Sequence, residues 1–346
     1  MIESLIPKNK RFEGIDNLDA VMVPASEKQK HLTKEWILPN REAIINDIQI
    51  LRKEADMAIK GSKKDAHRNY TDSYPVGRCL EINRYVYKKL LVKINNPTMP
   101  GIKAIRKFIK EGGIIKPIWV IQNKKFFQNA IQIGESILDV AEDTYDPAKS
   151  PVSIYDNSHE GGYEVIRSIE QFADVAEEYW GARAYPNIYM PALAPMFPVI
   201  LRKPVHNATH PKQQLDQDGL FLEGGQEALF NLNLMSIDEN EDLFKLTNDF
   251  LFRGKYSKRR LPKEAYANLL EMPWVKTVAK NTDQEFFVSD DAERAAEYLK
   301  AHFYNHIEST KDLYEHLQAI LYIHNEIIKG WPMAVFPSKF KDNEQE

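Results

Sequence analysis

Between Tyr74 and Asp146 the hydrophobic period of the chain changes from helical to alternating, and this change narrows the possible folds more than any other feature. Pro75 and Gly77 mark a turn directly before Cys79. Apolar side chains follow at Leu80, Ile82, Val86, Leu90 and Leu91, so the spacing predicts a helix that opens at Cys79. Pro97 to Gly101 separates it from a short basic amphipathic helix, Ile102 to Lys110, which Gly112 and Gly113 end. Ile114 to Gln122 is rich in β-branched and aromatic residues, and Asn129 to Ile133 alternates polar with apolar side chains. Gly134-Glu135 then turns the chain into Ser136 to Ala141 and closes a hairpin. The predicted order is a helix followed by an antiparallel meander.

A cysteine at a helix N-terminus meets unpaired backbone N–H groups and the positive end of the helix dipole. With Arg78 beside it, the sequence predicts a lowered thiol pKa for Cys79. The competing reading is an ordinary buried thiol packed under a strand. The element order, with a cysteine opening the helix and an acid on the third strand, resembles the transglutaminase-like branch of the papain-like cysteine-hydrolase superfamily. The resemblance covers about seventy residues, in which Gly77-Arg78-Cys79 matches the nucleophile motif and Asp139 the orienting acid. Asn129 stands where that family has its histidine base. A carboxamide neither takes up a proton at neutral pH nor stabilises a thiolate as an imidazolium does, so the implied domain is degenerate and non-catalytic. Gln128 is the candidate oxyanion donor, should an imidazole from elsewhere complete the site.

The chain has 346 residues and 43% hydrophobic composition, enough for a substantial core in one large domain or two ordinary ones. Its 46 basic and 50 acidic residues give a formal charge of −4, so binding to nucleic acid or an anionic membrane would need a local patch. A single cysteine excludes an intramolecular disulfide or a cysteine-rich zinc site and fits a reducing cytoplasm. Met1 to Arg11 lacks an apolar signal-peptide run, and no stretch is apolar enough to span a bilayer, so a soluble, cytoplasmic protein is expected.

The remaining chain reads as support. Residues 1–73 form a lead-in whose helical pattern, Ser26 to Lys60, is broken at Pro39; 74–155 hold the transglutaminase-like core. Residues 156–222 form a connecting segment, and 223–346 a mostly helical region that includes Gln226 to Leu234. The expected fold class is therefore α+β, with a helix on a small antiparallel sheet followed by helices. The proline-broken stretch Tyr185 to Pro211 carries Tyr189, Met190 and Phe197 and is too apolar for a free linker, which suits it to the core or to docking on a partner.

Several clusters have a specific and a plain reading. Asp143, Asp146 and the turn around them could hold a cation but lack calcium-loop spacing, and Gly161-Gly162 lacks the context of a phosphate cradle. His206 with His210, and His302 with His306 near His316 and His324, have ligand-like spacing; packed histidines are favoured, and no metal or cofactor is assigned. The basic run Arg253, Lys255, Lys258, Arg259 and Arg260 around Tyr256 could hold phosphate or RNA, although a protein partner or solvent is favoured. Two functions remain open beside a less favoured third, a metal-dependent oxidase or hydrolase using His302 and His306. One is a non-catalytic scaffold or adaptor in a protein assembly. The other is a cysteine-dependent acyl-transfer enzyme with Cys79 as nucleophile, Asp139 as orienting acid and a distant imidazole as base.

Overall fold

A computed structural model of the protein describes residues 22–60, 74–191, 194, 198–202, 227–230, 243–271 and 291–300. They fall into two compact units, one within 17–166 and the other built on the residues from Arg167 onward.

The first unit begins with α1 (Glu27–Leu32), capped by Ser26, whose hydroxyl accepts from Gln29 N–H at 3.3 Å. The helical path continues through a π turn, Thr33–Ile37, and a 3-10 turn, Leu38–Asn40. Pro39 falls in the latter, where a proline cannot supply an α-helical N–H bond, and α2 (Arg41–Lys60) follows. The buried stripe of α2 is Ile44, Ile48, Leu51 and Ala55, with Asp47 and Arg52 set among them. Next come α3 (Cys79–Asn95) and α4 (Pro100–Lys110), close to their predicted bounds.

Because α4 has no side-chain cap of its own, Asp47 of α2 supplies one by accepting from Ile102 N–H at 3.0 Å. Gly101 makes this approach possible, since a Cβ there would lie 2.5 Å from Ala43 O and from the Ile44 backbone. Gly101→Ala is therefore expected to lower stability by about 1–3 kcal/mol, because the crossing must open against packed backbone. That loss outweighs the roughly 1 kcal/mol by which alanine is the better helix former. A urea-unfolding midpoint equal to or above that of the natural protein would contradict this.

The meander is β1 (Ile115–Gln122), β2 (Phe126–Ile133) and β3 (Ser136–Asp139), joined by β4 (Ser153–Tyr155) and β5 (Tyr163–Glu164) in an antiparallel sheet of order β4-β3-β2-β1-β5. β4 and β5 lie in stretches too short to show a strand period in the sequence. The face carrying Ile131, Ile133, Leu138, Val140 and Ile154 shares one apolar cluster with α2, α3 and α4. The other face carries Ile118, Val120, Ala130, Ile137 and Tyr163 as a separate cluster. The predicted core thus extends back beyond residue 74, since the compact unit takes in α1 and α2 as well.

The second unit contains α5 (Ile169–Trp180), capped by Ser168 and ended by Gly181 at φ 58°. It also contains an antiparallel sheet of order β6-β7-β8, formed by β6 (Arg183–Pro186), β7 (Val199–Arg202) and β8 (Glu227–Phe230). Its other helices are α6 (Leu243–Phe252), α7 (Lys263–Glu271) and α8 (Ala292–Leu299). The helix expected over Gln226 to Leu234 is corrected at its start, because Glu227–Phe230 pair with Val199–Arg202 in β7. A short apolar run carries no period of its own, and the hydrogen-bonding partner decides its conformation. The protein is therefore α+β in both units, and the described residues after β8 are mostly helical, as expected for the C-terminal region.

The proline-broken stretch also turns inward where it is described. Tyr185, Tyr189 and Met190 are buried, and the Tyr189 hydroxyl accepts from Leu261 N–H at 2.6 Å. Tyr189 is thus a core residue of its own unit and no docking residue; Phe197 lies outside the described residues.

Candidate functional site

The turn before α3 is tied down on two sides. The Tyr74 hydroxyl donates to Asp56 Oδ1 at 2.6 Å, and Gly77, at φ 72°, donates its N–H to Thr144 O at 3.1 Å. The positive φ at Gly77 is one that glycine adopts without strain. Arg78 N–H closes the turn onto Pro75 O at 3.1 Å, and the Arg78 side chain turns to Glu81 at 3.5 Å. Cys79 is then the first residue of α3, half-buried against the sheet.

On β2, Asn129 faces this helix and donates from Nδ2 to Cys79 Sγ at 3.4 Å. One turn further along α3, Asn83 donates to Ala130 O at 3.1 Å and fixes the helix on the same strand. Trp119, the register partner of Asn129, stacks on Phe127 at 4.9 Å between ring centroids. Burial pushes the Cys79 thiol up to about 11; the Asn129 amide acts in the opposite direction, while the charges of Glu81 and Asp139 add to the rise. The lowered pKa expected from the helix N-terminus is therefore corrected. Desolvation of a thiolate outweighs the helix dipole here.

Asp139 is placed differently. Ile131 pairs with Leu138, so Asn129 stands across from Val140 and Ala130 across from Asp139. Since neighbouring side chains alternate, Asp139 lies on the face opposite Asn129. Its bonds agree. Its carboxylate accepts from Gln128 Nε2 at 2.8 Å, from the Tyr163 hydroxyl at 2.6 Å and from Ala141 N–H at 2.7 Å. Burial pushes Asp139 up to about 6, against the pull of the Tyr163 and Gln128 hydrogen bonds. Gln128 also donates to Ala141 O at 3.2 Å, so its amide is engaged on that far face rather than beside the thiol.

The four predicted site residues thus form two pairs, Cys79 with Asn129 and Gln128 with Asp139, one on each side of the sheet. The two-residue turn at Gly134-Glu135 was the signal that could have shown this, because it pairs Ile133 with Ser136 and fixes the parity of every later pair. Tyr163, on a strand of two residues, left no such signal.

Among the described residues the histidines are His31 and His159, both exposed, and His31 pairs with Glu35 at 3.5 Å. His67, His206, His210, His302, His306, His316 and His324 lie outside the described residues, and the described part holds no group of metal-ligating side chains. The acids after β3 are engaged by protein partners: Asp143 by Arg52, and Glu142 by Lys149 at 2.9 Å and by the Tyr155 hydroxyl at 2.6 Å. Gly161 packs on Tyr163, and Gly162 lies beside Asn123, whose N–H it accepts at 2.8 Å.

Three of the five cations in the dense basic run are paired within their own unit. Arg259 pairs with Glu177, Lys255 with Asp174 and Arg253 with Asp249, while the Tyr256 hydroxyl donates to Asp174 at 2.6 Å. No described helix is long and apolar enough to cross a membrane. Compared with protein-family models, curated proteins and solved structures, the chain matches none.

Proposed function

We propose that the unit within 17–166 is a non-catalytic, transglutaminase-like module that serves as a scaffold or adaptor in a protein assembly. The observation that carries this reading is the thiol's neighbour, an Asn129 amide that donates to Sγ, where acyl transfer needs a group that removes the thiol proton. A thiol pushed up to about 11 is ionised in about one molecule in ten thousand at neutral pH. Asp139, held by Tyr163 and Gln128 on the other face, is also out of position to orient a base beside Cys79. The acyl-transfer alternative needs an imidazole within hydrogen-bond reach of Sγ.

Alkylation of the full chain by iodoacetamide distinguishes the two readings. The rate is expected to climb about tenfold per pH unit, with no plateau below about pH 10, because only the thiolate reacts. A plateau reached by about pH 8 would mean a stabilised thiolate and would reject the non-catalytic reading. In the organism, Cys79→Ala is expected to be silent, and loss of phenotype with a folded variant would reject the reading equally.

A further inference from the structure

Three of the five cations in the densest basic run, Arg253, Lys255 and Arg259, are spent on internal ion pairs, whereas none of a less conspicuous set is. Lys103, Arg106, Lys107 and Lys110 recur along α4 at intervals of three and four residues, opposite the buried Ile102, Ile105 and Phe108. The stretch Glu27–Ile37 runs beside α4. Gln29 bonds both Gly112 O and Ile114 N–H at 2.9 Å, the Lys28 ammonium lies against Gly112, and Lys107 Nζ sits 5.1 Å from the centre of the Trp36 ring. Lys28 therefore borders the α4 cations.

None of these five side chains has an ion-pair partner among the described residues. The nearby Glu27 pairs with Lys30, and Glu35 lies 3.5 Å from His31. Among the described residues the exposed large apolar side chain beside this strip is Ile114, just past α4, and none lies on α4 or between Ser26 and Ile37.

We propose that this basic strip binds the phosphate backbone of nucleic acid. From Lys103 to Lys110 it runs about 10 Å, the axial length of about three nucleotides of one B-form strand. A strip of cations with a single exposed aliphatic side chain, Ile114, at its edge suits a polyanion better than a protein hot spot or an inserted membrane contact. Trp36 lies beneath Lys107 and against the core, so no ring here is free to stack on bases, and binding should be indifferent to sequence.

Fluorescence anisotropy of the full chain with a labelled, mixed-sequence duplex of about 20 base pairs tests this between about 50 and 200 mM salt. The expected log–log salt slope is about −4, as for four to five phosphate contacts. Lys103→Glu with Lys107→Glu should weaken binding at least about tenfold and flatten the slope by about two. Arg106→Glu with Lys110→Glu, which spares the Trp36 contact, should do the same and serves if the first pair disturbs the circular-dichroism melt. Absence of duplex binding at the low salt would overturn the proposal, as would binding that both reversals leave unchanged. Binding to vesicles of equal phosphatidylserine and phosphatidylcholine without duplex binding would overturn it too.

Discussion

Arg52→Ala is expected to destabilise the protein by about 3–5 kcal/mol, the range for removing one partner of a buried, hydrogen-bonded charge pair. Arg52 is 2% exposed and lies on the apolar side of α2, where its guanidinium joins three parts of the unit. Nη1 and Nη2 meet the two Asp143 oxygens at 2.8 and 3.0 Å, and Nε meets Asp56 Oδ1 at 2.8 Å. Nη1 also reaches Val140 O at 3.0 Å and Pro151 O at 3.3 Å. Alanine would leave the Asp143 carboxylate and two buried carbonyls without these donors and would free Asp56, which holds Tyr74 ahead of the cysteine turn. Lysine should recover only part of the loss, since it cannot reproduce the planar two-pronged contact. With a urea slope of about 1–3 kcal/mol per molar, the midpoint should fall by at least about 1 M; a fall under about 0.3 M would show that the clamp adds little.

The second large effect concerns pH. Asp139 moves from 3.8 to about 6 on folding because burial penalises its charge. The folded chain therefore holds this proton more tightly than the unfolded chain. The group's stabilising contribution is complete below about pH 4 and is lost as pH rises through about 6, a change of about 3 kcal/mol. Asp139→Asn should remove that dependence, so that urea midpoints at pH 4.5 and pH 7 differ by less than in the natural protein. At neutral pH the net change should stay within about 2 kcal/mol, because relief of the buried charge is offset by an amide N–H pointed at other donors. An unchanged difference between the two midpoints in the variant would assign the pH dependence to other groups.

Much of the first unit was legible in the sequence. The start of α3 at Cys79, the break at Pro39 and the β2–β3 hairpin follow from turn residues and from periods of two and 3.6, which act over a few residues. Contact between Cys79 and Asn129 follows from laying that helix on that strand. Other features depend on partners distant in the chain. Arg52 was hidden among helix-forming residues, although a cation in line with Ile48, Leu51 and Ala55 is a position that demands a buried acid. The thiol pKa runs opposite to the sequence expectation because a helix N-terminus is visible in sequence while the depth of burial is not. Acidic residues on α5 that silence Arg259 and Lys255 lie some eighty positions away, beyond any local pattern.

One feature of β1 bears on how this protein avoids sticking to itself. On its outer side, β5 pairs only with Ile121 and Gln122, and the strand carries Pro117 in its first half. A foreign extended chain trying to zip on from Ile115 would meet a missing N–H two residues in, so this eight-residue strand is a poor template for fibril growth.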